Sequence, residues 1–119
     1  MARIRHIAIY TDDPERLARF YCDAFDMKEM RRSATAVSVT DGYLGVTLIK
    51  TTPDSPRKGL HHFGFQVESL EVTEQRLRQV QPDIQIFKPD DVGISAEYKV
   101  KDAEGNIFDI SEKGWLRGG

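Results

Sequence analysis

A short internal repeat constrains the fold more than any other feature of this sequence. Residues 5–12, "RHIAIYTD", align with residues 61–68, "HHFGFQVE", when one half of the chain is moved by 56 positions. The same types of element precede and follow both stretches, so we interpret the chain as two copies of one supersecondary unit. The alignment pairs His6 with His62, Ala8 with Gly64, and Asp12 with Glu68.

The first copy is predicted to contain one strand, one helix and three further strands. Apolar and polar residues alternate over residues 4–10, which favours a strand. An amphipathic helix follows, with Asp12 or Asp13 as its cap and Pro14 in its first turn. Three β-like runs then lie near residues 28–32, 35–40 and 44–50.

The second copy repeats this order. Residues 60–67 form the predicted strand, Ser69 is a candidate helix cap, and Pro82 ends the helix. Three β-like runs follow near residues 84–87, 95–101 and 107–111. We therefore predict an α+β fold of two tandem βαβββ modules within one domain, 1–119. The predicted parts are module one (3–50), a linker (51–58), module two (59–112) and a C-terminal tail (113–119).

Composition narrows the classes of function. The chain has 119 residues, which suits one domain, and no stretch approaches the roughly 18 apolar residues of a membrane span. A net charge of -2 without a basic run argues against a nucleic-acid partner. Cys22 is the only cysteine and no signal peptide is evident, so we expect a cytoplasmic protein. Small molecules and protein partners remain.

Three strand residues are candidate metal ligands. Alternation predicts that His6, His62 and Asp109 each lie on the strand face opposite the apolar residues. A lone strand histidine is more often a surface or hydrogen-bonded residue, but equivalent placement in two copies favours a shared role. Asp109 could instead be the partner of an arginine. Two histidines and one carboxylate form a ligand set that divalent metals accept, with positions left for water and substrate.

The chain resembles the vicinal oxygen chelate superfamily, which includes glyoxalases, bleomycin-resistance proteins and extradiol dioxygenases. Three blocks carry the resemblance: "RHIAIYTDDPERLARFY", "HHFGFQVESLE" and "DAEGNIFDISEKGW". The resemblance implies that the two modules form a half-open barrel that holds a metal. Because such half-barrels leave a module edge that needs cover, we also expect a homodimer.

The resemblance implies a role for each candidate ligand. His6 and His62 match the histidine ligands of the first and fifth strands, and Asp109 replaces the usual terminal glutamate. A fourth position, a glutamate in lactoylglutathione lyases, corresponds to Val46, or to Thr47 if the register slips by one residue. Neither residue ligates a metal as a carboxylate does.

The function implied is a metal-dependent enzyme that chelates two oxygens of a small substrate at an Fe²⁺, Mn²⁺, Zn²⁺ or Ni²⁺ ion. Extradiol-type ring cleavage suits three ligands with vacant positions. A lyase or isomerase reaction is less favoured, because the carboxylate that would remove a proton is missing. A fosfomycin-type thiol transferase ranks lower still. The catalytic residues stay unassigned.

Four further residues are candidates for substrate binding or for support of the ligands: Tyr10, Gln66, Tyr98 and Trp115. The alternative to an enzyme is a metal-free protein that sequesters a drug, as bleomycin-resistance proteins do. In that interpretation Leu44, Val46 and Leu48 line a crevice that Trp115 covers.

Overall fold

A computed structural model describes residues 2–89 and 98–116 of the chain. Its elements follow the order βαβββ twice, as the sequence predicts. The predicted strand at 95–101 begins outside the described residues, and its described part starts at Tyr98. The bounds are β1 (Arg3–Thr11), α1 (Pro14–Phe25), β2 (Lys28–Arg32), β3 (Ala36–Thr40), β4 (Gly45–Lys50), β5 (Gly59–Gln66), α2 (Leu70–Val80), β6 (Gln85–Phe87), β7 (Tyr98–Lys101) and β8 (Ile107–Ser111).

The chain forms two compact units, which we describe separately. The N-terminal unit comprises Arg5–His61 together with Trp115 and Leu116 near the end of the chain. The C-terminal unit comprises the residues up to Ile4 together with His62–Gly114. Neither helix among the described residues is both long enough and apolar enough to cross a membrane.

In the N-terminal unit, helix α1 packs on a sheet with the strand order β2-β3-β4-β1. Asp13 caps the helix, because its side chain accepts a hydrogen bond of 3.1 Å from the backbone N–H of Arg16. Strand β1 runs parallel to β4, and the other neighbours are antiparallel. The core between helix and sheet contains the buried residues Ala18, Val37, Val39 and Leu48.

The C-terminal unit repeats this arrangement with the strand order β5-β8-β7-β6. Strand β5 runs parallel to β8, and the other pairs are antiparallel. Ser69 caps α2 by accepting a hydrogen bond from Val72 N–H, as predicted. The core contains the buried residues Ile84, Val100 and Ile110, with Phe65, Leu70, Leu77 and Phe108 packed around them.

The strand registers define which positions of the two modules correspond. Ala8 of β1 lies opposite Thr47 of β4, just as Gly64 of β5 lies opposite Asp109 of β8. Thr47 is therefore the counterpart of Asp109. One strand further, Ser38 lies opposite Thr47 and Lys99 lies opposite Asp109.

The same registers correct one expectation for β4. Leu48 is fully buried and Val46 packs against its cluster on the helix side of the sheet, so neither lines an open crevice. Thr47 is on the opposite face. Of the two choices for the family's fourth ligand position, Thr47 is therefore the one that shares the face of Ala8 and Ser38.

Candidate metal centre

A buried carboxylate is the centre of the candidate site in the C-terminal unit. Asp109 is 1% exposed, and its Oδ2 lies 3.2 Å from Nε2 of His62. Its other oxygen, Oδ1, accepts a hydrogen bond of 2.6 Å from Nζ of Lys99. Both oxygens of this carboxylate therefore face a nitrogen that carries or can carry a proton.

These contacts control the ionisation of Asp109. Burial alone would raise the pKa of this carboxyl group, because it disfavours the charged form. The hydrogen bonds from His62 and Lys99 outweigh burial, and the pKa lies below its usual value of 3.8. Asp109 is therefore a carboxylate at neutral pH, which is the form that ligates a metal.

His6 is the buried histidine of the N-terminal unit. It is 5% exposed, and its ring stacks on the indole of Trp115 with 4.7 Å between the ring centroids. Its neighbour across the parallel pair of strands is Gly45. A side chain at Gly45 would crowd this position, because a Cβ there would lie 3.0 Å from Met30 Cε.

A cavity of about 300 Å³ adjoins this stack in the N-terminal unit. Two hydroxyls on its wall, Ser38 Oγ and Thr47 Oγ1, lie 3.2 Å apart and share a hydrogen bond. Arg32 on the rim pairs with Glu15 and Glu29, which balance its charge. The lining residues are Met30, Arg31, Arg32, Ser33, Ala36, Ser38, Thr47 and Trp115.

The four supporting candidates have different surroundings. Trp115 is the one that stacks on a candidate ligand and lines the cavity. Tyr10 packs edge-to-face against His61, with 5.1 Å between the ring centroids. Gln66 donates a hydrogen bond of 3.4 Å to the backbone carbonyl of Glu112. Tyr98 packs into the core of the C-terminal unit, so it faces away from Asp109.

Lys99 is the residue that the sequence analysis missed. It lies directly opposite Asp109 in the β7–β8 hairpin. The signal was present, because "DAEGN" at residues 102–106 is a turn that places Lys101 opposite Ile107 and hence Lys99 opposite Asp109.

The donor atoms fit the chemistry of a divalent ion. Within the C-terminal unit, His62 and Asp109 offer one imidazole nitrogen and one carboxylate oxygen, two donor types that divalent metals accept. Two ligand atoms bound to one ion at about 2.1 Å lie about 3.0–3.4 Å apart at ordinary bond angles. The 3.2 Å between His62 Nε2 and Asp109 Oδ2 falls within that range.

The comparisons with known proteins identify the family. The sequence model of the Glyoxalase/Bleomycin resistance protein/Dioxygenase superfamily matches residues 3–110, which is nearly the whole chain. The chain belongs to this superfamily. No curated protein matches the chain closely enough to count as a relative.

Several solved structures have the same fold as this chain. A hypothetical protein from Bacillus halodurans is 17% identical, with 99% of each chain covered and a TM-score of 0.68. A variant of methylmalonyl-CoA epimerase from Streptomyces coelicolor, in complex with 2-nitronate-propionyl-CoA, is 18% identical, covering 91% of this chain and 92% of that one, with a TM-score of 0.67.

An extradiol ring-cleaving dioxygenase from B. fuscum is 17% identical with a TM-score of 0.66. The match covers 92% of this chain and 32% of the dioxygenase, so this chain corresponds to about a third of that enzyme. At these identities the likeness shows the fold alone. The predicted superfamily and the predicted α+β fold of paired βαβββ modules are both confirmed.

Proposed function

We propose that this superfamily member is a metal-dependent enzyme that binds two oxygen atoms of a small substrate at a divalent ion held by His6, His62 and Asp109. The ion would be Fe²⁺, Mn²⁺, Zn²⁺ or Ni²⁺. When bound, it would stabilise negative charge on the two substrate oxygens. We also propose that the protein is cytoplasmic and a homodimer, which cell fractionation and light scattering can test.

The pair of His62 and Asp109 is the observation that carries this proposal. A buried carboxylate costs folding free energy unless partners compensate for its lost hydration, and buried ionisable groups with charged partners cluster at functional sites. Here two strands bring the carboxylate and an imidazole to 3.2 Å in a nearly buried position. The pair supplies two of the three proposed ligands in advance.

His6 completes the set by its place in the repeat. It aligns with His62 in the internal repeat, and it is buried. Stacking on Trp115 restricts rotation of the imidazole, which lowers the entropy that ligation would cost. Each imidazole binds as the neutral ring.

The residues near His6 favour ring cleavage over proton abstraction by a carboxylate. On the face of β3 and β4 that carries Thr47, the described residues are Ala36, Ser38, Thr40, Gly45 and Ile49 in addition to Thr47. None of them is an acid. A lyase or epimerase that removes a proton with a carboxylate would lack its base on this face, whereas ring cleavage at a metal needs open coordination positions instead.

The cavity of the N-terminal unit is the candidate location for the body of the substrate. Its volume of about 300 Å³ suits a small organic molecule. Trp115 and Met30 offer apolar contact, Ser38 and Thr47 offer hydrogen bonds, and Arg31 offers a positive charge at the rim. A small aromatic or unsaturated acid fits this combination.

The test is anaerobic reconstitution of the purified protein with Fe²⁺, followed by oxygen uptake on a panel of catechols. The proposal expects uptake with at least one catechol and none for His62→Ala. The matched control is His61→Ala, the adjacent histidine, which should keep the activity. Turnover of a thioester of a 2-hydroxy acid, or of a CoA ester, without oxygen uptake would indicate a lyase or epimerase instead.

A metal-free binding protein is the second candidate, because the cavity beside Trp115 combines apolar and hydrogen-bonding walls. Trp115 is the single tryptophan of the chain, so its fluorescence reports on occupancy. Saturable quenching by an aromatic drug in the presence of a metal chelator, unchanged in His62→Ala, would support this function. Quenching that needs a bound divalent metal and is lost in His62→Ala would support the enzyme.

A further inference from the structure

Lys99 is a charged residue of the site to which the proposed function assigns no role. It lies on β7 directly opposite Asp109, and its ammonium donates the 2.6 Å hydrogen bond to Oδ1. The side chain of Lys99 is 37% exposed while that of Asp109 is 2% exposed, so a partly exposed lysine contacts a buried carboxylate.

A cation at this point affects metal binding in two opposite ways. A hydrogen bond to a ligating carboxylate orients it, and such outer partners usually strengthen metal binding. A positive charge beside the carboxylate repels a divalent ion and occupies a lone pair that the ion could use, which weakens metal binding. Their balance depends on whether Asp109 needs orienting.

The geometry indicates that orientation is already provided. Asp109 is nearly buried in the regular part of β8, and its second oxygen faces His62 at 3.2 Å. The repulsion is only partly screened, because the carboxylate is buried and excludes most solvent. The counterpart position in the N-terminal module is Ser38, a neutral residue, so the fold does not require a cation there.

We propose that Lys99 acts as a resident cation that limits the affinity of the site for a divalent ion. With no ion bound, the ammonium of Lys99 neutralises the carboxylate of Asp109. An ion that binds must share this carboxylate with Lys99 or displace the ammonium from it. This proposal rests on the proposed function, since it assumes that Asp109 is a ligand. It predicts that a neutral residue at position 99 strengthens metal binding.

The experiment measures the dissociation constant for Zn²⁺ by competition with a fluorescent chelator. Lys99→Met removes the charge and the hydrogen bond, Lys99→Gln keeps a neutral donor, and Lys99→Arg keeps the charge. The matched control is Lys101→Met, which removes the same charge from the same strand two residues away, where the ammonium lies over the ring of Phe87. Circular dichroism confirms that each variant is folded.

We expect Lys99→Met and Lys99→Gln to bind Zn²⁺ at least about tenfold more tightly than wild type, the size of effect typical of groups around metal ligands. Lys99→Arg and Lys101→Met should bind as wild type does. Equal or weaker binding by Lys99→Met, while wild type binds the ion, would overturn this inference and leave the proposed function standing. Zn²⁺ binding by Lys99→Met alone would support the inference but contradict the proposed function for wild type. Absence of binding by every variant would overturn both.

Discussion

Corresponding strand positions of the two modules carry side chains of different chemistry. In the N-terminal module, Ser38 and Thr47 are opposite each other and share a hydrogen bond between hydroxyls beside an open cavity. In the C-terminal module, the corresponding Lys99 and Asp109 form an ion pair around a buried carboxylate. The repeated fold therefore fixes where the side chains lie, while the residue types at these positions make the pair neutral in one module and charged in the other.

This difference suggests a division of labour. A buried carboxylate suits the binding of a cation, whereas hydroxyls and an indole beside a cavity suit an organic molecule. In the proposed site the C-terminal module supplies the negative charge and His62, and the N-terminal module supplies His6 and the surroundings of the substrate. The following substitutions test this assignment, beginning with the largest expected effect.

Asp109→Ala should be the most damaging change, because it leaves the ammonium of Lys99 without its carboxylate and empties a buried position. We expect the free energy of unfolding to fall by about 2–4 kcal/mol in the presence of a metal chelator. Thr47→Ala, at the corresponding position, should cost only about 0.5–1.5 kcal/mol. Urea unfolding measures both. Equal losses of unfolding free energy in the two variants would contradict the contrast between a buried ion pair at Asp109 and a neutral hydrogen bond at Thr47.

Thr47→Asp places a carboxylate at the counterpart of Asp109 in the N-terminal module. If the proposed ligand set is right, this acid supplies the missing fourth ligand and strengthens Zn²⁺ binding by about tenfold. Thr47→Asn is the matched control, with the same shape and no charge. Competition with a fluorescent chelator measures the dissociation constant for Zn²⁺ of each variant. Equal constants for the two variants would show that position 47 does not contact the metal.

Trp115→Leu removes the stack on His6 and one wall of the cavity. We expect the free energy of unfolding to fall by about 1 kcal/mol, the typical contribution of an aromatic pair. Binding of aromatic ligands should weaken more than metal binding does. Isothermal titration calorimetry with an aromatic ligand and with Zn²⁺ tests this. Lost metal binding with unchanged binding of the aromatic ligand would contradict the assignment of the substrate to the N-terminal module.

The turns before β4 and β8 offer the smallest test. Backbone N–H groups of Leu44 and Tyr43 hold the pKa of Asp41 below its usual value, and hydrogen bonds from Asn106 do the same for Asp102. A lowered folded-state pKa stabilises the fold above about pH 4, and this contribution is lost as the pH falls through the folded-state value.

We therefore expect Asp41→Ala and Asp102→Ala to lower the midpoint of thermal unfolding slightly at pH 7, by similar amounts. The difference from wild type should shrink as the pH approaches 3. A difference that stays constant between pH 7 and pH 3 would show that the carboxylate charge does not stabilise these turns.

Local patterns were sufficient to predict most of the fold. The alternation in β1 and β5, the helix caps and the turn residues gave the order of elements, and the bounds of β2 and β8 agree with the structure. Leu48 shows the limit of this approach. Its apolar strand pattern is more often that of a core but also allows a crevice, and packing against α1 shows that it belongs to the core.

Only some of the contacts made by the candidate residues follow from the sequence. Alternation placed His62 and Asp109 on one face, and their contact of 3.2 Å agrees with that expectation. Tyr98 is a candidate for substrate binding, but β7 turns it to the core and turns Lys99 to Asp109, because neighbouring strand residues face opposite sides. The stack of Trp115 on His6 joins residues far apart in sequence, which no local pattern encodes.

Metal content of the purified protein is the most direct test of the central claim that His6, His62 and Asp109 hold one divalent ion. After reconstitution and desalting, elemental analysis should find about one ion per chain in wild type and in His61→Ala. It should find almost none in His6→Ala, His62→Ala or Asp109→Ala. A wild-type protein without metal, or full metal content in any of these three variants, would contradict the account.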